Sequence, residues 1–72
     1  MTWIVHTKPD CKWCSRAESH LAVRGIYFEE MCYLTLKQQL GFKERTGHET
    51  FPQIYDGDKH VGGYAELKAS VE

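Results

Sequence analysis

Apolar residues recur along this chain with two different spacings. Trp3, Ile4 and Val5 are consecutive within residues 2–7, a stretch rich in β-branched and aromatic types. This predicts a strand covered on both faces. Lys8-Pro9-Asp10 ends it, because Pro9 drives Lys8 out of helical geometry. Apolar residues then return at Cys14, Ala17 and Leu21 (i, i+3, i+7), predicting a helix from Cys14 to Arg24 with Gly25 as its C-terminal cap. Ile26 to Met31 reads as a second strand with Ile26 and Phe28 on one face. Joined to the first through a helix, it makes a βαβ unit with parallel strands and a right-handed crossover. Thr35 and Gln38 form a capping box for a second helix, which turns Leu36 and Leu40 inward and stops near Gly47. Gly41 weakens its middle by about 1 kcal/mol relative to alanine. Gln53-Ile54-Tyr55 is a short strand, Asp56-Gly57-Asp58 a hairpin turn, and Lys59-His60-Val61 an edge strand. Gly62-Gly63 frees the backbone before a last helix with Tyr64, Leu67 and Val71 on one side. The order β-α-β-α-β-β-α predicts an α/β fold with a four-stranded mixed sheet and helices on both faces.

Composition narrows the class. A chain of 72 residues, 42% of them apolar, predicts a single domain over residues 1–72 with one modest core. The net charge of −1, without clustered Lys and Arg, argues against a nucleic-acid partner. No apolar run approaches the roughly 20 residues of a membrane span. The first residues lack the basic start, long apolar centre and small-residue cleavage site of a signal peptide. The expectation is a monomer in a reducing cytoplasm, without a membrane or nucleic-acid partner. Three cysteines, an odd number, do not suit a secreted disulfide framework. In a reducing compartment a Cys-x-x-Cys pair is more often catalytic or metal-binding than structural.

The chemistry is concentrated in Cys11-Lys12-Trp13-Cys14, between the first strand and the first helix. That position marks a thioredoxin-like redox site. Unpaired N–H groups and the positive end of the helix dipole favour a thiolate there and lower its pKa. Cys14, about one turn on, can reach the same sulfur and close a small disulfide ring. Cys11 is therefore read as the nucleophile and Cys14 as the resolving thiol. Lys8 and Lys12 support a thiolate at Cys11, while Asp10 opposes it. Trp13 is held at the surface by its loop, an odd place for an aromatic unless something packs on it. Tyr64 is divided between groove wall and helix packing. A closed zinc site needs four ligands. His48 and His60 are far apart in sequence, and Cys32 and His6 are single, so no metal is expected. Cys32 is read as a buried small hydrophobe, His6 as a satisfied histidine near the core, and His20, His48 and His60 as surface residues.

The order of elements and three motifs together resemble the glutaredoxins, a thioredoxin-like fold. The motifs are Thr7-Lys8-Pro9-Asp10-Cys11-Lys12-Trp13-Cys14, Thr50-Phe51-Pro52-Gln53 and Gly62-Gly63-Tyr64-Ala65-Glu66-Leu67. The resemblance covers nearly the whole chain and implies a groove beside the cysteines that takes glutathione as co-substrate. In it Lys8 would pair with a glutathione carboxylate and Trp13 would wall the groove. Phe51 would bond through its backbone to the cysteinyl part of glutathione, like an added strand. Pro52 would be cis. Gly63, Tyr64 and the start of the last helix would hold the γ-glutamyl end. Thr50, Ala65 and Glu66 complete the implied set.

The chain departs from the family pattern at three places. Lys12-Trp13 replaces the commonest Pro-Tyr pair, and Phe51 stands where valine is usual. Ala65 and Glu66 stand where aspartate or threonine generally binds the γ-glutamyl end. Of these two, only Glu66 can hydrogen-bond through its side chain. The implied activity is reduction of protein disulfides and glutathione mixed disulfides, at a potential of about −200 to −230 mV. The resemblance adds ribonucleotide reductase to the implied protein substrates. Two alternatives stand beside it: a glutaredoxin-like redoxin reduced by thioredoxin reductase, and a glutaredoxin that carries a [2Fe–2S] cluster. A thioredoxin-fold binding module, indifferent to loss of Cys11, is a third.

Overall fold

The computed structural model describes residues 2–72. Its elements are β1 (Trp3–Thr7), α1 (Lys12–Val23), β2 (Phe28–Cys32), α2 (Leu36–Thr46), β3 (Gln53–Asp56), β4 (Lys59–Gly62) and α3 (Tyr64–Ser70). The expected order of elements is present, with ends displaced by at most two residues. The strands lie in the order β2-β1-β3-β4. β1 pairs parallel with β2, from Trp3 against Phe28 to Thr7 against Cys32, and antiparallel with β3. The β3–β4 hairpin turns at Gly57-Asp58, with Gly57 at φ +62° as a tight turn requires. This is a thioredoxin-like α/β sheet.

β1 is central, and its alternate residues face opposite sides. Val5 joins Ala17 and Leu21 of α1, Ile54 of β3 and Leu67 of α3 in a fully buried core. Trp3, Ile26, Phe28, Tyr64 and Val71 pack around that core. The opposite face is aromatic. His6 stacks on Phe42 of α2 with centroids 4.6 Å apart, meets Tyr55 edge-on at 5.4 Å, and places Nδ1 3.0 Å from Tyr33 Oη. The expected place of His6 near the core is borne out.

The inward face of α2 differs from the expected one. Leu36 and Leu40 are exposed at 69% and 53%, and Phe42 is the buried residue. The less exposed stripe runs Gln39, Phe42, Lys43 and Thr46, which is also helical spacing but only one-quarter apolar. Its partners are polar-edged aromatics, and Gln39 Nε2 donates to the Tyr33 carbonyl at 3.0 Å. The ends of α2 match expectation. Thr35 and Gln38 make the capping box, and Gly47 closes the helix at φ +76°.

His20 is also corrected. It was expected at the surface, but it lies on the buried stripe of α1 beside Leu21 and is 9% exposed. Its Nε2 bonds the Val71 carbonyl just beyond α3, so one side chain ties the first helix to the last segment. His20→Ala removes that partner and leaves a small void. The expected loss is about 1–3 kcal/mol, read as a lower urea midpoint with unchanged slope.

Stability should also depend on pH through His6. Burial, then the charge of Arg45, holds its imidazole below the ordinary 6.5. His60 is lowered by burial and then by His48, against a smaller opposing effect of Glu66. Both histidines ionise more readily in the unfolded chain. Below about pH 6.5 the unfolded state binds more protons, so stability falls with acidification and is complete above that pH. Urea midpoints measured between about pH 7.5 and 5 should fall, with a shallower slope in His6→Gln.

Candidate active site

The end of β1 delivers the chain to α1 through Lys8-Pro9-Asp10. Asp10 adopts φ +56°, a left-handed conformation that aspartate tolerates better than most residues. Cys11 follows as the N-cap of α1, in extended conformation. Its Sγ takes the place a capping oxygen usually holds and accepts from the Cys14 N–H at 3.2 Å. Cys14 sits one turn into the helix on its buried stripe, and only 3% of it is exposed. The two sulfurs are bonded as a disulfide, with Cα atoms 5.2 Å apart. Cys11 is thus half-buried, and Cys14 is buried.

Trp13 projects outward and is 49% exposed. The Arg16 guanidinium lies 4.7 Å from its ring centroid and Lys12 Nζ 5.8 Å. On its other side Trp13 meets Tyr64 of α3, with centroids 5.5 Å apart. Between them opens a groove of about 280 Å³, lined by Trp13, Thr50, Phe51, Pro52, Gly63, Tyr64, Ala65 and Glu66. The Phe51–Pro52 peptide bond is cis. At the far wall Gly62 has φ +124°, and a Cβ there would meet Glu66 Cγ at 2.7 Å. That glycine lets β4 turn sharply into α3. Glu66 Oε1 accepts from the Gly63 N–H at 2.7 Å and caps the helix.

The glutaredoxin family model matches residues 4–61. The chain belongs to the glutaredoxin family. Glutaredoxin 3 of Escherichia coli is 34% identical over 67 residues, which cover 90% of this chain and 80% of that one. Hybrid peroxiredoxin hyPrx5 of Haemophilus influenzae is 33% identical over 64 residues, 89% of this chain, and this chain spans 27% of its length. Among solved structures, glutaredoxin 1 of Francisella tularensis superposes with a TM-score of 0.88 at 27% identity, over 96% of this chain and 90% of that one. A glutaredoxin with a bonded Cys11–Cys14 pair is a thiol–disulfide oxidoreductase, and its family uses glutathione as co-substrate.

This glutaredoxin carries a second cleft, of about 450 Å³, on the other side of the motif. Lys8 lines that cleft with Cys11 and Cys14 and does not line the groove. Cys32 also lines it and is free and exposed, which corrects its reading as a buried hydrophobe. The reason is topological. β2 is an edge strand, and Cys32 is its last residue, opposite Thr7. Glu18 and Glu30 line the same cleft and were not singled out from the sequence. One signal was available, since Glu18 is four residues after Cys14 and so on the same helix face.

His48 and His60, distant in sequence, stack with ring centroids 3.8 Å apart, and His48 is only partly exposed. His60 Nε2 lies 2.6 Å from Gln53 Oε1. No group of three or more His, Cys, Asp or Glu side chains gathers as a metal site among the described residues. No helix among them is long and apolar enough to cross a membrane.

Proposed function

We propose that this chain reduces protein disulfides and glutathione mixed disulfides with glutathione as its electron source, with Cys11 as nucleophile and Cys14 as resolving thiol. The Cys11 thiolate attacks one sulfur of a substrate disulfide, forms a mixed disulfide and releases the other sulfur as a thiolate. Cys14 then attacks Cys11 Sγ, frees the second substrate thiol and leaves the Cys11–Cys14 disulfide. One glutathione thiolate opens that bond at Cys11, and a second removes the first as glutathione disulfide. Two electrons pass from two glutathiones to one substrate disulfide. When the substrate is itself a glutathione mixed disulfide, Cys11 alone suffices.

What supports this reading is the groove. Eight residues implied by the family pattern, spread from Trp13 to Glu66, line one depression beside the cysteine pair. The Thr50–Pro52 segment lines it beside Trp13 and Tyr64, which offer apolar walls for an extended peptide. Glu66 already accepts from the Gly63 N–H. In this reading its carboxylate meets the ammonium group of the γ-glutamyl end, opposite in charge, and replaces the usual aspartate or threonine. The proposal includes a monomer acting in the cytoplasm, with ribonucleotide reductase among its disulfide substrates.

The test is NADPH consumption with a glutathionylated low-molecular-weight disulfide. One arm supplies glutathione and glutathione reductase; the other supplies thioredoxin reductase. Turnover in the first arm, lost in Cys11→Ser, is the expected result. Turnover in the second arm alone would overturn the glutathione assignment and make this a redoxin.

A further inference from the structure

The second cleft brings both reacting sulfurs together with two carboxyl groups from different elements. Cys14 and Glu18 lie one turn apart on α1. Glu30 and Cys32 lie on β2, paired with Val5 and Thr7, whose side chains point toward α1. Strand alternation therefore puts Glu30 and Cys32 on the side of the sheet that α1 covers. Thr7 Oγ1 donates to Glu30 Oε2 at 3.3 Å, which fixes one carboxylate oxygen against the sheet. The other carboxyl group, Glu18, lines the same cleft as Glu30. Two carboxyl groups lining one cleft can hold a single proton between them.

Cys14 has a matching need. Its sulfur must lose a proton to attack the mixed disulfide and regain one when the disulfide is opened. It is 97% buried, so bulk water has little direct access to it. The cleft it lines is the open route. We propose that the Glu18–Glu30 carboxyl pair is the proton store for Cys14. With both carboxylates ionised at the start, the pair takes the single Cys14 proton as Cys14 attacks Cys11 Sγ and expels the substrate thiolate. It returns that proton when glutathione attacks Cys11 Sγ and Cys14 leaves. Charge and atoms balance within the dithiol cycle described above, on which this inference rests.

The electrostatics agree. Burial pushes the Glu18 carboxyl up to about 7, and the hydrogen bond and charge of Glu30 add to the shift. A group titrating near neutrality can both give and accept a proton at the operating pH. The other titratable groups lining the cleft are Lys8 and Asp10 from the loop, Cys11 from the N-cap, Lys12 and Cys14 from α1, and Cys32 from β2.

Two measurements decide the matter. The first compares Glu18→Gln with wild type in the glutathione-coupled assay, each with and without Cys14→Ser. Expected is a fall of about tenfold in reduction of a protein disulfide, with loss of an inflection near pH 7. This is below the ~10²–10⁴-fold of an enclosed general base, because the cleft admits water. Glutathione mixed-disulfide reduction in the Cys14→Ser background makes no use of a Cys14 proton, so the slowing should vanish there. Equal slowing in both backgrounds, or none in either, would overturn the proposal.

The second measurement does not depend on turnover. The Glu18 carboxyl is titrated by NMR in the oxidised and the reduced protein. A midpoint that moves on reduction supports coupling to Cys14, and an identical midpoint in both states refutes it. If neither background turns over with glutathione, the functional reading fails separately and this titration alone decides.

Discussion

Cys11→Ser should reduce glutathione-dependent turnover to the uncatalysed rate, a loss of at least about 10³-fold. The expectation follows from chemistry and placement together. Only a thiolate attacks a disulfide sulfur at useful rates, and a serine oxygen cannot enter a disulfide. The Cys11 sulfur sits at the N-terminus of α1 and accepts from the Cys14 N–H, a setting that favours the anion. Cys14 cannot take over the attack, because it is buried beneath the first turn. Cys14→Ser should behave differently. It should abolish reduction of protein disulfides that need intramolecular resolution, yet keep turnover of glutathione mixed disulfides. Running both variants side by side assigns the roles. Equal losses in the two variants with every substrate would contradict the assignment of Cys11 as the sole nucleophile.

Leu21→Ala should bring the domain close to unfolding. Leu21 is fully buried at the centre of the core, between Val5, Ile54 and Leu67. Truncating such a leucine costs about 2–5 kcal/mol, as lost transfer energy plus a cavity that neighbours fill only in part. Domains of this kind hold about 0.05–0.15 kcal/mol per residue, or roughly 4–11 kcal/mol for 72 residues. The substitution therefore removes a large share of the total. Thermal unfolding followed by circular dichroism should show a melting point lower by about 10 °C or more. Activity should fall as well, since the stripe that carries Leu21 also carries Cys14 and sets the height of its sulfur. A melting point within a degree or two of wild type would mean that the core around α1 relaxes far more easily than its packing suggests.

Much of the architecture was legible because it rests on local rules. The capping box at Thr35 and Gln38, the left-handed Gly47, the Gly57-Asp58 turn and the buried Cys14-Ala17-Leu21 stripe each depend on a few adjacent residues. The cysteine pair at the start of α1 was legible for the same reason. The groove was legible in another way, since its residues follow a family pattern and not a local rule, and they meet only in three dimensions.

What stayed hidden depends on contacts between distant segments. Apolarity alone chose Leu36 and Leu40 as the inward face of α2. The sheet face it covers is aromatic and hydrogen-bonding, however, and it selects Phe42 with Gln39 and Thr46. His20 appeared as a surface residue until the Val71 carbonyl, 51 positions away, was seen to be its partner. His48 and His60 meet only because the loop after α2 folds over β4.

Element order, the thioredoxin-like sheet and the redox pair are written in the chain itself, because periodicity, caps and turns act over a few residues and the cysteine motif is contiguous. Which side of the motif each neighbour serves is settled in three dimensions. The loop after β1 and α1 bring Lys8 and Glu18 to the cleft, where the register of β2 on β1 places Glu30 and Cys32, while the segment before β3 and α3 bring Phe51, Tyr64 and Glu66 to the groove. Strand register and helix packing are set by the whole core at once, and no short stretch of chain encodes them alone.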